Sequence, residues 1–358
     1  MRLPVSKSHA HRVLLAEFLA GRVASLAPSD GDCDDVAATK RCLRSLASGS
    51  PALDCGESGT TRRLLGPVAA ALGVKAEWTM RGRLAARPQI EYAALEPGRH
   101  ELPGDVSSQF VSGLLFALPL LRGDSEISLT TPLKSRGYVD MTLGVLREYG
   151  IEVEETGRGF RVPGPQRYVA RGEGPRIEGD WSSAAFVLAM NALGSDIRFA
   201  GGAEETLSAG SLQPDRAVVR MLEALSGEGE RSLDVDQCPD LFPVLAVVAA
   251  CRKGRTVFGG TRRLRLKESD RVAAMADVLG RFGVACSAQE NEFSVEAGGG
   301  PLAGGAFSSF ADHRVAMAAA VGATRAGSPV EIDDSACAAK SYPTFFADFA
   351  GLEVSSRS

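Results

Sequence analysis

The chain has 358 residues, of which 44% are apolar and 23% charged, a balance typical of a soluble globular protein with a substantial core. The length suggests two domains, and the formal net charge of −4 argues against nucleic-acid binding. No apolar run reaches the roughly 18 uncharged residues that a membrane helix needs. We therefore expect a cytoplasmic protein without a membrane partner, in which any anion binds to a local cluster of positive groups.

In chain order, the strongest pattern is a short polar cluster followed at once by a run of small apolar residues. It occurs six times, and Ser, Thr and Asp at its start are the residue types that cap helix N-termini. Because the runs are apolar on nearly every face, they predict buried helices. The six runs occupy residues 13–16, 64–72, 110–121, 184–193, 241–250 and 315–323.

Between these runs lie segments with one charged face, which predict amphipathic helices, and short alternating segments, which predict strands. The amphipathic helices are predicted over 34–46, 138–149, 214–225, 269–282 and 342–349, and the strands over 151–155, 284–287 and 293–296. The result is an α/β chain with about three repeated units in each half, the halves meeting near residues 176–180. Two of the polar clusters read almost alike, Gly-Asp-x-Ser-Ser, which suggests a shared architecture.

Cysteine and histidine offer no metal-binding or disulfide pattern. The seven cysteines form no Cys-x-x-Cys pair, and the four histidines form no His-Glu-x-x-His motif. We expect no metal, no disulfide framework and no cofactor, with the cysteines serving as small buried side chains.

Positive residues crowd the starts of several predicted buried helices, as at Lys7, Arg12, Arg63 and Arg314. A helix N-terminus carries about half a positive charge, so such starts favour anions. A buried, unpaired charge costs several kcal/mol, by an order-of-magnitude estimate, so these starts should open on solvent or on a ligand. The pattern predicts an anion-binding site.

Three carboxylates stand in or beside this basic sequence. Asp240 lies at the start of an apolar helix, Glu268 lies between Lys267 and Arg271, and Asp312 precedes His313 and Arg314. A carboxylate next to cations has a lowered pKa, which suits an ion-pair partner or a general base. Taken singly, each is better explained as a helix cap or a salt bridge, whereas together they could supply an acid and a base on opposite sides of a phosphate-bearing substrate.

Eight motifs occur in the order found in the 5-enolpyruvylshikimate-3-phosphate synthase family, which the chain resembles from Ser6 to about Phe349. The motifs are Ser6-Lys7-Ser8-x-x-x-Arg12, Gly56-Glu57-Ser58-Gly59-Thr60-Thr61-x-Arg63, Arg87-Pro88, Ser107-Ser108-Gln109-Phe110, Pro239-Asp240, Lys267-Glu268-Ser269-Asp270-Arg271, Asp312-His313-Arg314 and Ala339-Lys340-Ser341-Tyr342-Pro343.

This resemblance implies a fold and a reaction. The fold is a two-domain inside-out α/β barrel built from repeated βαβαββ units, with a shortened first domain over 7–177 and a second domain over 178–358 plus 1–6. The active site would lie in the interdomain cleft. The reaction transfers the enolpyruvyl group of phosphoenolpyruvate to the 5-hydroxyl of shikimate 3-phosphate in aromatic amino acid biosynthesis, without a cofactor. The resemblance also implies a target of glyphosate, and we expect a monomer.

The resemblance assigns roles to the matching residues. Catalytic roles fall to Asp240, Glu268, Lys7 and Lys340. The shikimate 3-phosphate site comprises Lys7, Ser8, Arg12, Ser107, Ser108, Gln109, Ser135, Asp240 and Lys267. The phosphoenolpyruvate site comprises Lys7, Gly59, Arg87, Gln109, Arg271, Arg314 and Lys340.

Two alternatives remain. The related enolpyruvyl transferase that acts on a UDP-sugar has a Lys-Asn pair and a reactive loop cysteine, whereas here Lys7 precedes Ser8 and the matching loop has no cysteine. A non-catalytic protein that binds phosphorylated metabolites is the other alternative, suggested by the shortened first domain.

Glu57 also departs from the family, since it puts a negative charge beside a phosphate site where Asn is usual.

Overall fold

Contacts within the chain divide it into two units. The first unit comprises Ser6–Glu178 with Leu212–Pro214, and the second comprises Met1–Val5, Gly179–Ser211 and Asp215–Ser358. Each has an apolar core of its own. The structure, a computed structural model, describes residues 1–172, 177–200, 207–208 and 210–352. Within those ranges no helix has both the length and the apolar character needed to cross a membrane.

The described part of the first unit contains α-helices, strands and short 3₁₀ turns. The helices are α1 Lys7–Leu19, α2 Asp34–Ala47, α3 Gly59–Ala71, α4 Ser108–Ala117 and α5 Arg136–Glu148. The strands are β1 Ala52–Gly56, β2 Glu77–Met80, β3 Gly98–Leu102, β4 Ser125–Leu129, β5 Glu154–Thr156 and β6 Gly159–Val162. The 3₁₀ turns are Val23–Leu26, Gly82–Ala86 and Leu118–Leu120.

The second unit has the same kinds of element in its described part. The helices are α6 Trp181–Ala192, α7 Val218–Ala224, α8 Phe242–Cys251, α9 Arg271–Arg281, α10 His313–Ala323 and α11 Phe345–Ala350. The strands are β7 Arg231–Asp234, β8 Lys253–Gly259, β9 Ala285–Ala288, β10 Glu292–Gly298, β11 Gly305–Phe307 and β12 Val330–Ile332. The 3₁₀ turns are Pro214–Ala217, Pro239–Leu241, Arg262–Leu266 and Ala336–Lys340.

Each unit contains one complete βαβαββ repeat. In the first unit it runs from β3 to β6 with the sheet order β3-β4-β6-β5, and in the second from β7 to β10 with the order β7-β8-β10-β9. In both sheets the first two strands are parallel and the other pairs are antiparallel. The described strands therefore show the predicted repeat, in open sheets of two or four strands. A barrel is not among the features that they show.

Other repeats are shortened in both units. In β1-α3-β2 and in β11-α10-β12, a helix joins two parallel strands, and each sheet has only two strands. In the complete repeats an antiparallel strand pair follows the second helix, but α2 leads almost directly into β1 and α7 almost directly into β7. Shortening of the first domain relative to the family stays a prediction; within the described residues, two-stranded repeats of this kind occur in both units.

Five of the six predicted buried helices begin at a Ser or Asp within the predicted polar cluster. The cap side chain accepts a hydrogen bond from a first-turn amide that has no partner within the helix. The five caps are Ser6, Ser58, Ser107, Asp180 and Asp312. Helix α8 is the exception, because it follows a 3₁₀ turn and Leu241 precedes it without a side-chain cap. Asp240 is therefore not a helix cap, and its carboxylate is directed to cations.

Candidate active site

In the second unit, a cluster of charged side chains gathers where three helices begin. Helices α8, α9 and α10 pack against one another through their apolar residues. Asp240 lies in the turn before α8, Arg271 is the first residue of α9, and Arg314 lies in the first turn of α10. The packing of buried helices thus brings together charges that are far apart in the sequence.

Asp240 is held by three cations. Its Oδ1 lies 2.7 Å from Arg271 Nη1 and 3.2 Å from Lys267 Nζ, and its Oδ2 lies 3.3 Å from Arg314 Nη2. Burial alone raises the pKa of Asp240, but the attraction of Arg314, Lys267 and Arg271 outweighs burial, so the pKa lies well below 3.8. The Asp240 carboxylate is therefore ionised and held in place at neutral pH.

Arg271 is the centre of the cluster and is 1% exposed. Its Nε donates to Asp312 Oδ2 at 2.8 Å, its Nη2 donates to Glu268 Oε2 at 2.9 Å, and its Nη1 faces Asp240. Burial lowers the pKa of Arg271, and the carboxylates of Asp312, Glu268 and Asp240 raise it further than burial lowers it. Arg271 stays charged and its guanidinium plane is fixed.

Asp312 both caps a helix and binds the guanidinium group of Arg271. It caps α10 through Arg314 N at 3.0 Å, and it also receives Ser269 Oγ at 3.0 Å and two guanidinium nitrogens of Arg271. Its side chain is fully buried. The sequence indicated the cap but not the bidentate pair, because Arg271 and Asp312 are 41 residues apart.

Lys340 lies at the end of the 3₁₀ turn Ala336–Lys340 and is 7% exposed. This turn packs against α10, the helix that carries Arg314. Of the site residues predicted in the second unit, the structure joins Asp240, Lys267, Glu268, Arg271 and Arg314 through direct ion pairs, and it places Lys340 beside the same helix.

In the first unit, helix α1 carries three of the predicted site residues: Lys7, Ser8 and Arg12. Lys7 Nζ donates to Asp35 Oδ2 at 3.0 Å. Asp35, in the first turn of α2, was not among the predicted site residues.

Arg12 is 1% exposed and is surrounded by neutral oxygens. Its Nη1 donates to Ser8 O at 2.6 Å, its Nη2 to Tyr138 O at 2.9 Å, and its Nε to Thr142 Oγ1 at 2.8 Å. Burial lowers the pKa of Arg12 to about 10. Within the ranges that the structure describes, no carboxylate forms an ion pair with Arg12.

A second cluster in the first unit surrounds the start of α3. A Cβ atom on Gly59 would lie 3.0 Å from Arg63 Nη1 and 3.2 Å from Arg87 Nη1, so two guanidinium groups crowd against this glycine backbone. Gln109 accepts from Arg63 Nη1 at 2.7 Å and donates through Nε2 to Thr60 Oγ1 at 2.8 Å. The structure thus brings together Gly59, Arg87 and Gln109, and it adds Arg63 as the residue that orients Gln109.

Three predicted serines occupy the starts of α4 and α5. Ser107 caps α4 by accepting from Gln109 N, and Ser108 is the first residue of that helix. Ser135 precedes α5 in a left-handed conformation, with φ 54° and ψ 45°, which is uncommon for a residue other than glycine. Ser108 and Ser135 are buried.

Glu57, which stands where Asn is usual in the family that the chain resembles, lies close to the turn Gly82–Ala86. Arg62 pairs with Glu91 and lies over the Trp78 ring, and Arg63 is turned to Gln109. The Glu57 carboxylate instead lies against the backbone of Gly82, where a Cβ atom would overlap it. The negative charge is therefore directed to the turn Gly82–Ala86.

Comparisons with known proteins give one consistent family. The family model described as EPSP synthase (3-phosphoshikimate 1-carboxyvinyltransferase) matches residues 78–349. A 3-phosphoshikimate 1-carboxyvinyltransferase of Clostridium kluyveri is 36% identical over 410 aligned positions, which cover 98% of this chain and 94% of that protein. The corresponding protein of Clostridium acetobutylicum is 37% identical, with 84% and 77% covered.

Solved structures agree. An EPSP synthase from Acinetobacter baumannii is 25% identical, with a TM-score of 0.69 over 98% of this chain and 94% of that one. The enolpyruvyl transferase NikO from Streptomyces tendae, at 14% identity, shares the fold with a TM-score of 0.63 over 99% of this chain and 94% of that one.

Proposed function

Because the chain belongs to the EPSP synthase family, we propose that it transfers the enolpyruvyl group of phosphoenolpyruvate to the 5-hydroxyl of shikimate 3-phosphate, with release of phosphate. Family membership along nearly the whole chain supports this activity. The observation that supports the residue roles is the cluster in which Arg271 pairs with both Asp240 and Glu268, and Arg314 pairs with Asp240, so that two candidate proton-transfer carboxylates share one candidate anion-binding arginine.

The first step of the proposed reaction is addition. The 5-hydroxyl oxygen attacks C2 of phosphoenolpyruvate, Asp240 accepts the hydroxyl proton, and a proton from Glu268, Lys7 or Lys340 reaches the methylene carbon. A carboxylate in contact with the hydroxyl suits the base, and proton transfers of this kind contribute about 10²- to 10⁴-fold to rate. In the second step the methyl group returns a proton and phosphate leaves, which regenerates the double bond.

The remaining assigned groups bind and orient the substrates. For shikimate 3-phosphate, Arg12 presents a buried cation, and Ser107 and Ser108 present hydroxyls at a helix start, a setting that favours phosphate. For phosphoenolpyruvate, Arg271 and Arg314 present fixed guanidinium groups and Gly59 allows close backbone approach. The assigned residues belong to both units, and their gathering around the two substrates stays a prediction, as do the monomeric state and the cytoplasmic location.

A coupled assay of phosphate release tests the proposal. We expect release that requires both phosphoenolpyruvate and shikimate 3-phosphate. No release at millimolar concentrations of both would reject the enzyme and leave a protein that only binds metabolites. Release with UDP-N-acetylglucosamine in place of shikimate 3-phosphate would favour the UDP-sugar transferase.

A further inference from the structure

We propose that Asp240 is also a displaceable counter-ion. Before substrate binds, the Asp240 carboxylate is paired with the guanidinium groups of Arg271 and Arg314. The anionic groups of phosphoenolpyruvate must take its place in these two ion pairs. This inference rests on the proposed function, which assigns both arginines to phosphoenolpyruvate. It gives Asp240 a second role, in which substrate binding frees the residue that then accepts the hydroxyl proton.

Most of the N–H donors of Arg271 already bind protein carboxylates. A guanidinium group has five N–H donors. Asp312 and Glu268 engage Nε and Nη2, and Asp240 engages Nη1 at 2.7 Å. A substrate carboxylate or phosphate that binds with two parallel hydrogen bonds therefore has to take the place of a protein carboxylate.

Burial and hydrogen bonding indicate that Asp240, and not Asp312, is the carboxylate that the substrate replaces. Asp312 is fully buried and accepts from Ser269, from the Arg314 amide and from Arg271, so its removal would leave several buried donors without an acceptor. The Asp240 side chain is 22% exposed, and within the described residues its hydrogen bonds and ion pairs are with the side chains of Lys267, Arg271 and Arg314 and not with a backbone amide. Replacing the Asp240 carboxylate by a substrate anion therefore costs less free energy than replacing the Asp312 carboxylate.

Charge also supports the exchange. The ion pairs around Arg271 join the cations Lys267, Arg271 and Arg314 to the carboxylates Asp240, Glu268 and Asp312. A multiply charged anion that approaches Arg271 and Arg314 is repelled by Asp240 unless it takes the place of the Asp240 carboxylate on these arginines. When it does, Asp240 loses the attraction of Arg314 and Arg271 and keeps that of Lys267, so its pKa is depressed less and its affinity for a proton rises. Binding thus converts a weak base into a stronger one.

The test compares two variants that each remove one negative charge from this cluster, Asp240→Asn and Asp312→Asn. The dissociation constant of phosphoenolpyruvate is measured by calorimetry on the full chain, without shikimate 3-phosphate. We expect Asp240→Asn to bind about tenfold more tightly than the wild type, because a competing internal anion is gone. We expect Asp312→Asn to bind about tenfold more weakly, because Arg271 loses the partner that orients it.

Unchanged or weaker binding by Asp240→Asn overturns the inference, and tighter binding by both variants reduces it to a general charge effect, which also overturns it. Thermal melts monitored by circular dichroism establish that each variant is folded, and Asp240→Ser repeats the charge removal if Asp240→Asn is not. Wild-type turnover distinguishes the two proposals: turnover without the tightening rejects only the counter-ion role, whereas tightening without wild-type turnover rejects only the proposed reaction.

Discussion

Arg12 in the first unit and Arg271 and Arg314 in the second, all predicted to bind substrate, are held in opposite ways. In the second unit, Arg271 and Arg314 are paired with carboxylates, whereas in the first unit Arg12 is held by two carbonyl oxygens and a hydroxyl. A buried cation paired only with neutral oxygens retains its attraction for an anion, while a cation already paired with carboxylates binds one by exchange. We therefore expect Arg12 to contribute to affinity, and the Asp240 cluster to bind an anion by exchange coupled to proton transfer.

Arg12 retains hydrogen-bond donors and a positive charge with which it can bind an anion. A guanidinium group has five N–H donors and Arg12 uses three of them for Thr142, Ser8 and Tyr138, so two donors on its terminal nitrogens remain for a carboxylate or phosphate. The lowered pKa, about 10, still leaves Arg12 fully charged at neutral pH. We therefore expect changes in the second unit to act on turnover and changes near Arg12 to act on binding.

The largest expected effect comes from Asp240→Ala. We expect turnover to fall by on the order of 100-fold or more, as for loss of a general base, while shikimate 3-phosphate binding stays measurable. Steady-state phosphate release and calorimetry with shikimate 3-phosphate check the two parts. Asp277→Ala, which removes an exposed carboxylate on α9 paired with Arg281, is the control and should keep wild-type turnover. Undiminished turnover in Asp240→Ala would remove this residue from the reaction.

Arg12→Lys is expected to have a smaller effect, and one on substrate binding instead of on turnover. Lysine keeps the charge but cannot donate to Ser8 O, Tyr138 O and a ligand in one plane, so the KM for shikimate 3-phosphate should rise about 30-fold with little change in kcat. Arg41→Lys in the same unit, where the side chain is 41% exposed and lies near Asp54, is the matched control. If kcat falls and the KM is unchanged, the proposed division between binding and exchange is wrong.

Sequence reasoning found what depends on neighbours along the chain. The caps Ser6, Ser58, Ser107, Asp180 and Asp312 were predictable because a cap acts on amides two or three residues away. Strands such as Gly98–Leu102 were not predicted, because their exposed charged residues hide the alternation of a half-buried strand.

The ion pairs required tertiary structure. Asp240 resembles a helix cap in the sequence, and only the packing of α8, α9 and α10 shows that its carboxylate faces Arg271 and Arg314. The same holds for Asp35 with Lys7 and for Glu57 against Gly82, where the partners are brought together by helix and turn packing. The motifs thus located the charged groups, but which of them are neutralised by one another could not be predicted from order along the chain.

The smallest expected effect concerns backbone strain, which both units place before a helix start. Ser135 precedes α5 with φ 54°, and Ala311 precedes Asp312 and α10 with φ 51°. A left-handed conformation costs a residue other than glycine about 1 kcal/mol or more, and glycine recovers only part of that because it gains freedom in the unfolded chain. Denaturant unfolding should therefore show both Ser135→Gly and Ala311→Gly more stable than the wild type, by less than about 1 kcal/mol.

The two glycine variants should separate in binding. Loss of the Ser135 hydroxyl should weaken shikimate 3-phosphate binding about fivefold, the scale of one hydrogen bond, while Ala311→Gly should leave that affinity unchanged. Opposite movements of stability and affinity at Ser135 would mean that the strained backbone is kept to hold a hydroxyl in the binding region. If Ser135→Gly instead lowers stability, the serine side chain supports the loop itself, and the case for Ser135 as a ligand of the substrate is lost.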